Sequence, residues 1–199
     1  IPRYGLIDTL GYIIVNANYD EIGRIGEARI AIRVGQRWGF VDKMGKVIIT
    51  PKYSEVSNFY SGFAAVEYLG KWGLIDPYDN IVIPFQYDDM GNFSEDIIWA
   101  QSGNDLLYVN QRGDQISKTD TSEGYDFRQG VARVVKNGKW GLIDKTGHYV
   151  VAPKFNRIRP FNENGLAIVQ YGRERFRYGV INTKGDVITD HHYRYIYPF

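Results

Sequence analysis

The chain has 199 residues, with 24 Lys plus Arg set against 23 Asp plus Glu, and no cysteine. Such balanced charge argues against a dedicated nucleic-acid binder, and the missing thiols exclude disulfides and thiolate metal sites. No apolar run nears the roughly 18 residues of a membrane span, while 16 Tyr, 10 Phe, 4 Trp and 22 Gly favour strands and turns over helices.

Taken in chain order, the sequence returns every 34 residues to one slot: an aromatic, a glycine, and an apolar run ending in Asp or Asn. Tyr4-Gly5-Leu6-Ile7-Asp8 leads to Trp38-Gly39-Phe40-Val41-Asp42 and then to Trp72-Gly73-Leu74-Ile75-Asp76. The fourth copy, Leu106-Leu107-Tyr108-Val109-Asn110, keeps only the spacing, and Trp140-Gly141-Leu142-Ile143-Asp144 restores the signature. Tyr178-Gly179-Val180-Ile181-Asn182 arrives after 38 residues. Units therefore start near Tyr4, Trp38, Trp72, Leu106, Trp140 and Tyr178, in a single repeat domain spanning 1–199.

Within a unit the elements read as β. Ile30, Ile32 and Val34 alternate on one face of Ala28–Val34, and 64–68 and 132–135 are short runs of β-formers. Gly or Pro interrupts too often for helices. A tight turn such as Leu69-Gly70-Lys71 or Asn137-Gly138-Lys139 reverses the chain into the Trp-Gly strand. Asp-x-x-Gly then turns it again, as at Asp42 to Gly45 and Asp144 to Gly147, where the Asp caps its own turn. A third strand follows, ended by Pro51, Pro84 or Pro153. The link to the next unit is anchored by Tyr53, Val56 and Phe59, repeated as Phe155, Ile158 and Phe161. Its three-residue steps fit either a helical turn or an irregular one.

Three short strands cannot bury their own apolar face, so neighbouring units must stack. Trp38, Trp72, Trp140 and Tyr178 are expected to fill the junctions as repeat core. The expected fold is all-β: tandem three-stranded antiparallel meanders stacked as an open, twisted, solenoid-like array. A closed five-bladed β-propeller is the alternative.

These residues resemble the WG-repeat family, a bacterial β-repeat, with the closest correspondence at Gly62–Tyr87 and Gly130–Phe155. The unit at 106–139 departs most, carrying Ser117-Lys118-Thr119-Asp120-Thr121-Ser122 where an apolar strand end and Pro-x-Tyr belong. The resemblance implies an interaction module with no shared catalytic residues to carry over.

Chemistry has few candidates. His148, His191 and His192 do not converge, and adjacent strand residues face opposite ways. Asp8, Asp42, Asp76 and Asp144 could line up for calcium, but Asn at 110 and 182 and turn capping account for them. No nucleophile elbow or phosphate loop is present. No metal, cofactor or catalytic residue is therefore expected. The leading non-recurring feature is the lengthened hairpin Tyr171–Arg177, whose Arg173, Arg175, Phe176 and Arg177 form a candidate binding surface. The acidic 88–96 stretch and the polar 117–126 loop are alternative surfaces. The expected role is protein–protein recognition; a rigid spacer for another domain and a cell-envelope glycan-binding module are the alternatives. The start at Ile1 fits a processed form or a fragment, which leaves the compartment open.

Overall fold

The computed structural model describes residues 2–27, 29–172 and 177–197, with backbone alone at 190–192. All regular structure among them is β, so no helix is long and apolar enough to cross a membrane. Where the sequence reads as one run of repeats, contacts gather into two compact units. The first holds 1–96 with 111–113, and the second holds 97–110 with 114–199.

The first unit opens with a two-stranded sheet, β1 (Tyr4–Ile7) and β2 (Ile13–Tyr19). A four-stranded antiparallel sheet follows, made of β3 (Glu21–Gly26), β4 (Arg29–Val34), β5 (Arg37–Asp42) and β6 (Val47–Tyr53). The next sheet repeats that order with β7 (Glu55–Val56), β8 (Ala64–Tyr68), β9 (Lys71–Ile75) and β10 (Ile81–Tyr87), and β11 (Asp89–Met90) comes last. In the second unit β12 (Ile97–Ser102), β13 (Asp105–Asn110) and β14 (Gln115–Thr119) pair consecutively. Two further four-stranded sheets complete it: β15 (Glu123–Gly124), β16 (Val131–Lys136), β17 (Lys139–Asp144) and β18 (Tyr149–Phe155), then β19 (Arg157–Ile158), β20 (Leu166–Tyr171), β21 (Arg177–Asn182) and β22 (Val187–Tyr193). Within each unit, successive sheets pack on one another, making an all-β, solenoid-like tandem array of small open sheets.

The expected three strands become four because the linking stretch supplies a short strand of its own. Glu55 and Val56 pair with Glu67 and Val66. The anchors beyond it are neither a helical turn nor loose loop: Phe59 is buried at 2% exposure and meets Phe40 edge-on at 4.9 Å. Burying one such ring contributes roughly 1.5–3 kcal/mol.

Stacking also explains why strict alternation fails in β4. Ile30 and Ile32 pack with Val15 and Val41 on one side, while Ala31 on the other face packs with Phe40, Ile49 and Phe59. Both faces are covered, and Val34 is left exposed at the hairpin end. The Trp-Gly slot is half-buried at Trp38, Trp72, Trp140 and Tyr178. The centres of the clusters are instead Phe40, Tyr53, Phe59, Leu142 and Phe155.

The turns are built from side-chain oxygens. Asp42 Oδ1 accepts from Met44 N at 2.9 Å and Lys46 N at 3.0 Å, with Gly45 at φ +80°. Asp144 Oδ1 accepts from Thr146 N at 2.8 Å and His148 N at 3.0 Å, before Gly147. Asn182 Oδ1 makes the same bonds to Lys184 N and Asp186 N, which shows that the acceptor oxygen matters here and the charge does not.

In the unit at 106–139 packing is compensated across slots. Leu106 replaces the Trp and Thr121 replaces the aromatic held elsewhere by Tyr53 or Phe155. Tyr108 and Trp99 enlarge two neighbouring slots, and Tyr108 packs edge-on against Phe127 at 5.0 Å. The pairing changes too. In β5–β6 it jumps between Trp38↔Tyr53 and Phe40↔Ile49, a bulge shared by β9–β10, β17–β18 and β21–β22. In β13–β14 the pairs Leu106↔Thr119, Leu107↔Lys118 and Tyr108↔Ser117 run without that jump.

Candidate functional site

Strand pairing aligns the repeats residue by residue and identifies one slot whose occupant changes character. Ala31 opposite Phe40, Ala65 opposite Leu74, Trp99 opposite Tyr108, Arg133 opposite Leu142 and Ile168 opposite Val180 are equivalent. In β4 and β8 this position holds a buried Ala. In β16 it holds Arg133, between Ala132 and Val134, which are fully buried. A charge in the middle of such a strand requires partners.

Those partners come from three elements. Tyr125 follows β15, donates its backbone N–H to Arg133 O at 3.1 Å, and stacks on Trp140 of β17 with ring centres 5.0 Å apart and planes 23° from parallel. The Arg133 guanidinium lies 4.7 Å from the Tyr125 ring centre and 5.5 Å from that of Trp140. Its Nη1 donates to Ile158 O in β19 at 3.0 Å, tying the two last sheets together. In the sheet of β3–β6 the position of Tyr125 is Gly23, where even a β-carbon would come within 3.0 Å of Ala31 Cβ, so no such stack forms there.

Burial pulls the Arg133 guanidinium below its ordinary pKa; Tyr125 opposes this, and Arg128 and Arg157 add like-charge repulsion. Burial likewise raises Tyr125, helped by Glu123, whose carboxylate accepts from the Tyr125 hydroxyl at 3.3 Å. The stack borders a cleft of about 210 Å³, with Arg128 and Arg133 on one side and Val131, Pro160 and Phe161 forming an apolar wall. A smaller cleft of about 70 Å³ adjoins Arg157, Arg159, Gln170 and Tyr178. Among the described residues, Arg128, Arg157 and Arg159 form no ion pair.

The polar 117–122 loop lines a wider, shallow depression with Asn104 and Asp105. Its charges are matched internally. Lys118 pairs with Asp105 at 2.7 Å, and Asp120 pairs with Lys136 and accepts from the Tyr149 hydroxyl at 2.7 Å. Of the hairpin singled out from sequence, Arg173, Arg175 and Phe176 lie outside the described residues; Arg177 opens β21, exposed and opposite Tyr171. The side chains of His191 and His192 also lie outside them. Among the described residues no three His, Cys, Asp or Glu side chains cluster as metal ligands.

Arg133 escaped the sequence reading because Ala-Arg-Val looks like an ordinary half-exposed strand. The signal was present in the 34-residue ruler: Ala31, Ala65, Trp99 and Arg133 fall one period apart.

The repeat extends to known families. The family described as WG containing repeat matches at residues 4–38, 38–72, 72–104, 108–140, 140–173 and 178–199. No curated protein matches the chain. Among solved structures, one described as a eukaryotic initiation factor is similar with a TM-score of 0.66 at 9% identity, covering 94% of this chain and 60% of its own. Hsv2p of Kluyveromyces lactis is similar with a TM-score of 0.54 at 10% identity, covering 84% of this chain and 61% of its own. The chain thus spans about three fifths of the length of these structures, and at such identities the likeness is one of fold.

Proposed function

The chain belongs to the WG containing repeat family, and on that premise we propose that it is a non-catalytic recognition module that mediates protein–protein contact. The observation that carries this reading is the Arg133–Tyr125–Trp140 stack and its rim of arginines without ion pairs. Arginine and aromatic side chains sharing one partly desolvated cleft make the kind of surface that dominates binding energy at protein interfaces. Trp140 recurs along the repeat, but Arg133 and Tyr125, which turn it into a stack, do not.

Affinity capture with the parent and with the double variant Arg128→Ala/Arg157→Ala tests the proposal. Both side chains are exposed, so the variant is expected to melt with the parent while losing its captured partner. Equal recovery of the same partners by both chains would overturn it.

A second reading, that of a rigid scaffold, is favoured by bonds that join neighbouring repeats. Glu27 accepts from Ser61 N at 2.5 Å and Gly62 N at 2.7 Å, and Gln129 Nε2 donates to Asn162 O at 3.0 Å and Glu163 O at 3.2 Å. Scaffold and recognition are compatible, since a stiff frame lowers the ordering cost of a contact surface.

A further inference from the structure

Resting on the recognition reading above, we infer that the arginine cleft takes an acidic peptide segment in which an apolar residue stands beside a carboxylate. Three features of the cleft select this chemistry. The first is an excess of positive charge. Arg128, Arg133, Arg157 and Arg159 face the two clefts, against Asp126 at the wall and Glu123 on the Tyr125 hydroxyl. Arg128 and Arg157 each repel Arg133, and none of Arg128, Arg157 and Arg159 has an ion pair among the described residues. An anion placed among these guanidiniums replaces repulsion with attraction.

The second feature is preorganisation. Arg133 is held by two aromatic rings and the Ile158 carbonyl, so its planar fork loses little freedom when it meets a planar acceptor. Carboxylates match that fork in bidentate geometry. The third is the apolar wall. Val131 and Phe161 are buried beneath the cleft and Pro160 stands exposed at its edge. About 210 Å³ beside them is room for an apolar side chain as well as a carboxylate, several times the ~30 Å³ share of one water.

Nucleic acid fits less well. The formal net charge is only +1, and binding to a phosphate backbone draws on an extended basic field that this chain lacks. The four arginines line two clefts on the last two sheets, a span that suits a short motif.

The test is calorimetric titration of the full chain with a blocked synthetic peptide of alternating Glu and Phe, beside its Gln counterpart and inorganic phosphate. The Glu peptide is expected to bind, to weaken about tenfold or more with Arg128→Ala/Arg157→Ala, and to weaken as salt is raised, as rim charge pairs do. The Gln peptide and phosphate alone are expected not to bind measurably. Equal affinity of the Glu and Gln peptides, or unchanged affinity in the arginine variant, overturns the inference. So does phosphate binding as tightly as the Glu peptide, because the cleft would then read charge without the apolar residue. If no peptide binds but protein capture still depends on Arg128 and Arg157, the ligand class falls and recognition stands. If capture is also independent of them, both fall.

Discussion

Gly39 faces the main-chain oxygen of Ile49 at a range that no side chain could share. A β-carbon on Gly39 would sit 2.4 Å from that oxygen and 2.7 Å from Pro51 N. Gly73 stands in the same relation to Ile83 O, and Gly141 to Val151 O, each at 2.6 Å. The missing side chain of Trp-Gly therefore admits the bulge in which, eleven or twelve residues later, Pro51, Pro84 or Pro153 sits, and the bulge beside Gly179 forms without a proline. Where Leu107 replaces glycine, the bulge and the proline vanish together. Gly39→Ala and Gly141→Ala are each expected to cost about 1–3 kcal/mol, the range for forcing atoms into packed space. Urea unfolding measures this, and midpoints equal to that of the parent would remove the close-approach account.

Arg133 is held by its rings and by Ile158 O, so Arg133→Ala should destabilise the second unit. The orphaned carbonyl and the lost ring contacts together suggest about 1–3 kcal/mol. Arg133→Lys should recover only part of this, since an ammonium cannot lie flat on Tyr125 while reaching Ile158 O. Thermal melts of the three chains decide it. A lysine variant as stable as the parent would mean that charge alone is needed there, without the planar fork.

Much of the frame was legible in the sequence, because the turns are local. Asp42 and Gly45, or Asn137 and Gly138, carry their conformational demands within a few residues. The ends of the third strands were not, since β6, β10 and β18 run two or three residues past Pro51, Pro84 and Pro153, which the bulge accommodates. The fourth strand was not legible. Glu55 and Val56 are too short a run to show a period of two, and their pairing with Glu67 and Val66 follows from stacking. The site was hidden for a related reason. Alternation reports one covered face, but here sheets lie on both sides, so Arg133 reads as solvated when it is sandwiched. Only comparison across repeats exposes it.

The Asp-capped turns give a pH prediction whose sign follows from their hydrogen bonds. Burial is the largest single influence on the Asp144 carboxyl and pushes it upward, but the bonds from Thr146 and the His148 backbone together outweigh it and hold the group below its ordinary range. Asp76 is depressed in the same way: burial raises it, and the bonds from Asn80 and Tyr78 together outweigh that. A depressed folded-state pKa contributes stability that is fully present above the unfolded value of about 3.9 and is lost as pH falls through the folded one. Asp144→Asn should keep the turn, because Asn182 caps its equivalent with the same two bonds, and should reduce the acid sensitivity. Melting temperatures followed from neutral pH downward test it: the variant should lose less stability than the parent. An identical acid limb would show that the carboxylate's bonds are not what titrates.

Glu27 and Gln129 occupy one repeat slot and join their sheets to the next by opposite chemistry. The Glu27 carboxylate receives two N–H groups, from Ser61 at φ +50° and Gly62 at φ +82°. The Gln129 amide instead gives its N–H groups to two carbonyls, those of Asn162 and Glu163. Exchanging them should therefore fail in both directions. Glu27→Gln retains one acceptor and turns a donor toward N–H groups, for a loss of about 0.5–1.5 kcal/mol. Gln129→Glu sets a carboxylate against two carbonyl oxygens, which raises its folded pKa above the unfolded value of about 4.3. Its penalty, held to about 0.5–1 kcal/mol by exposure to solvent, should be present at neutral pH and relieved as the pH drops and the group takes up a proton. Chemical denaturation at neutral and at mildly acidic pH measures both effects. A Gln129→Glu chain as stable as the parent at neutral pH would show that the bonds to Asn162 and Glu163 do not hold the repeats together.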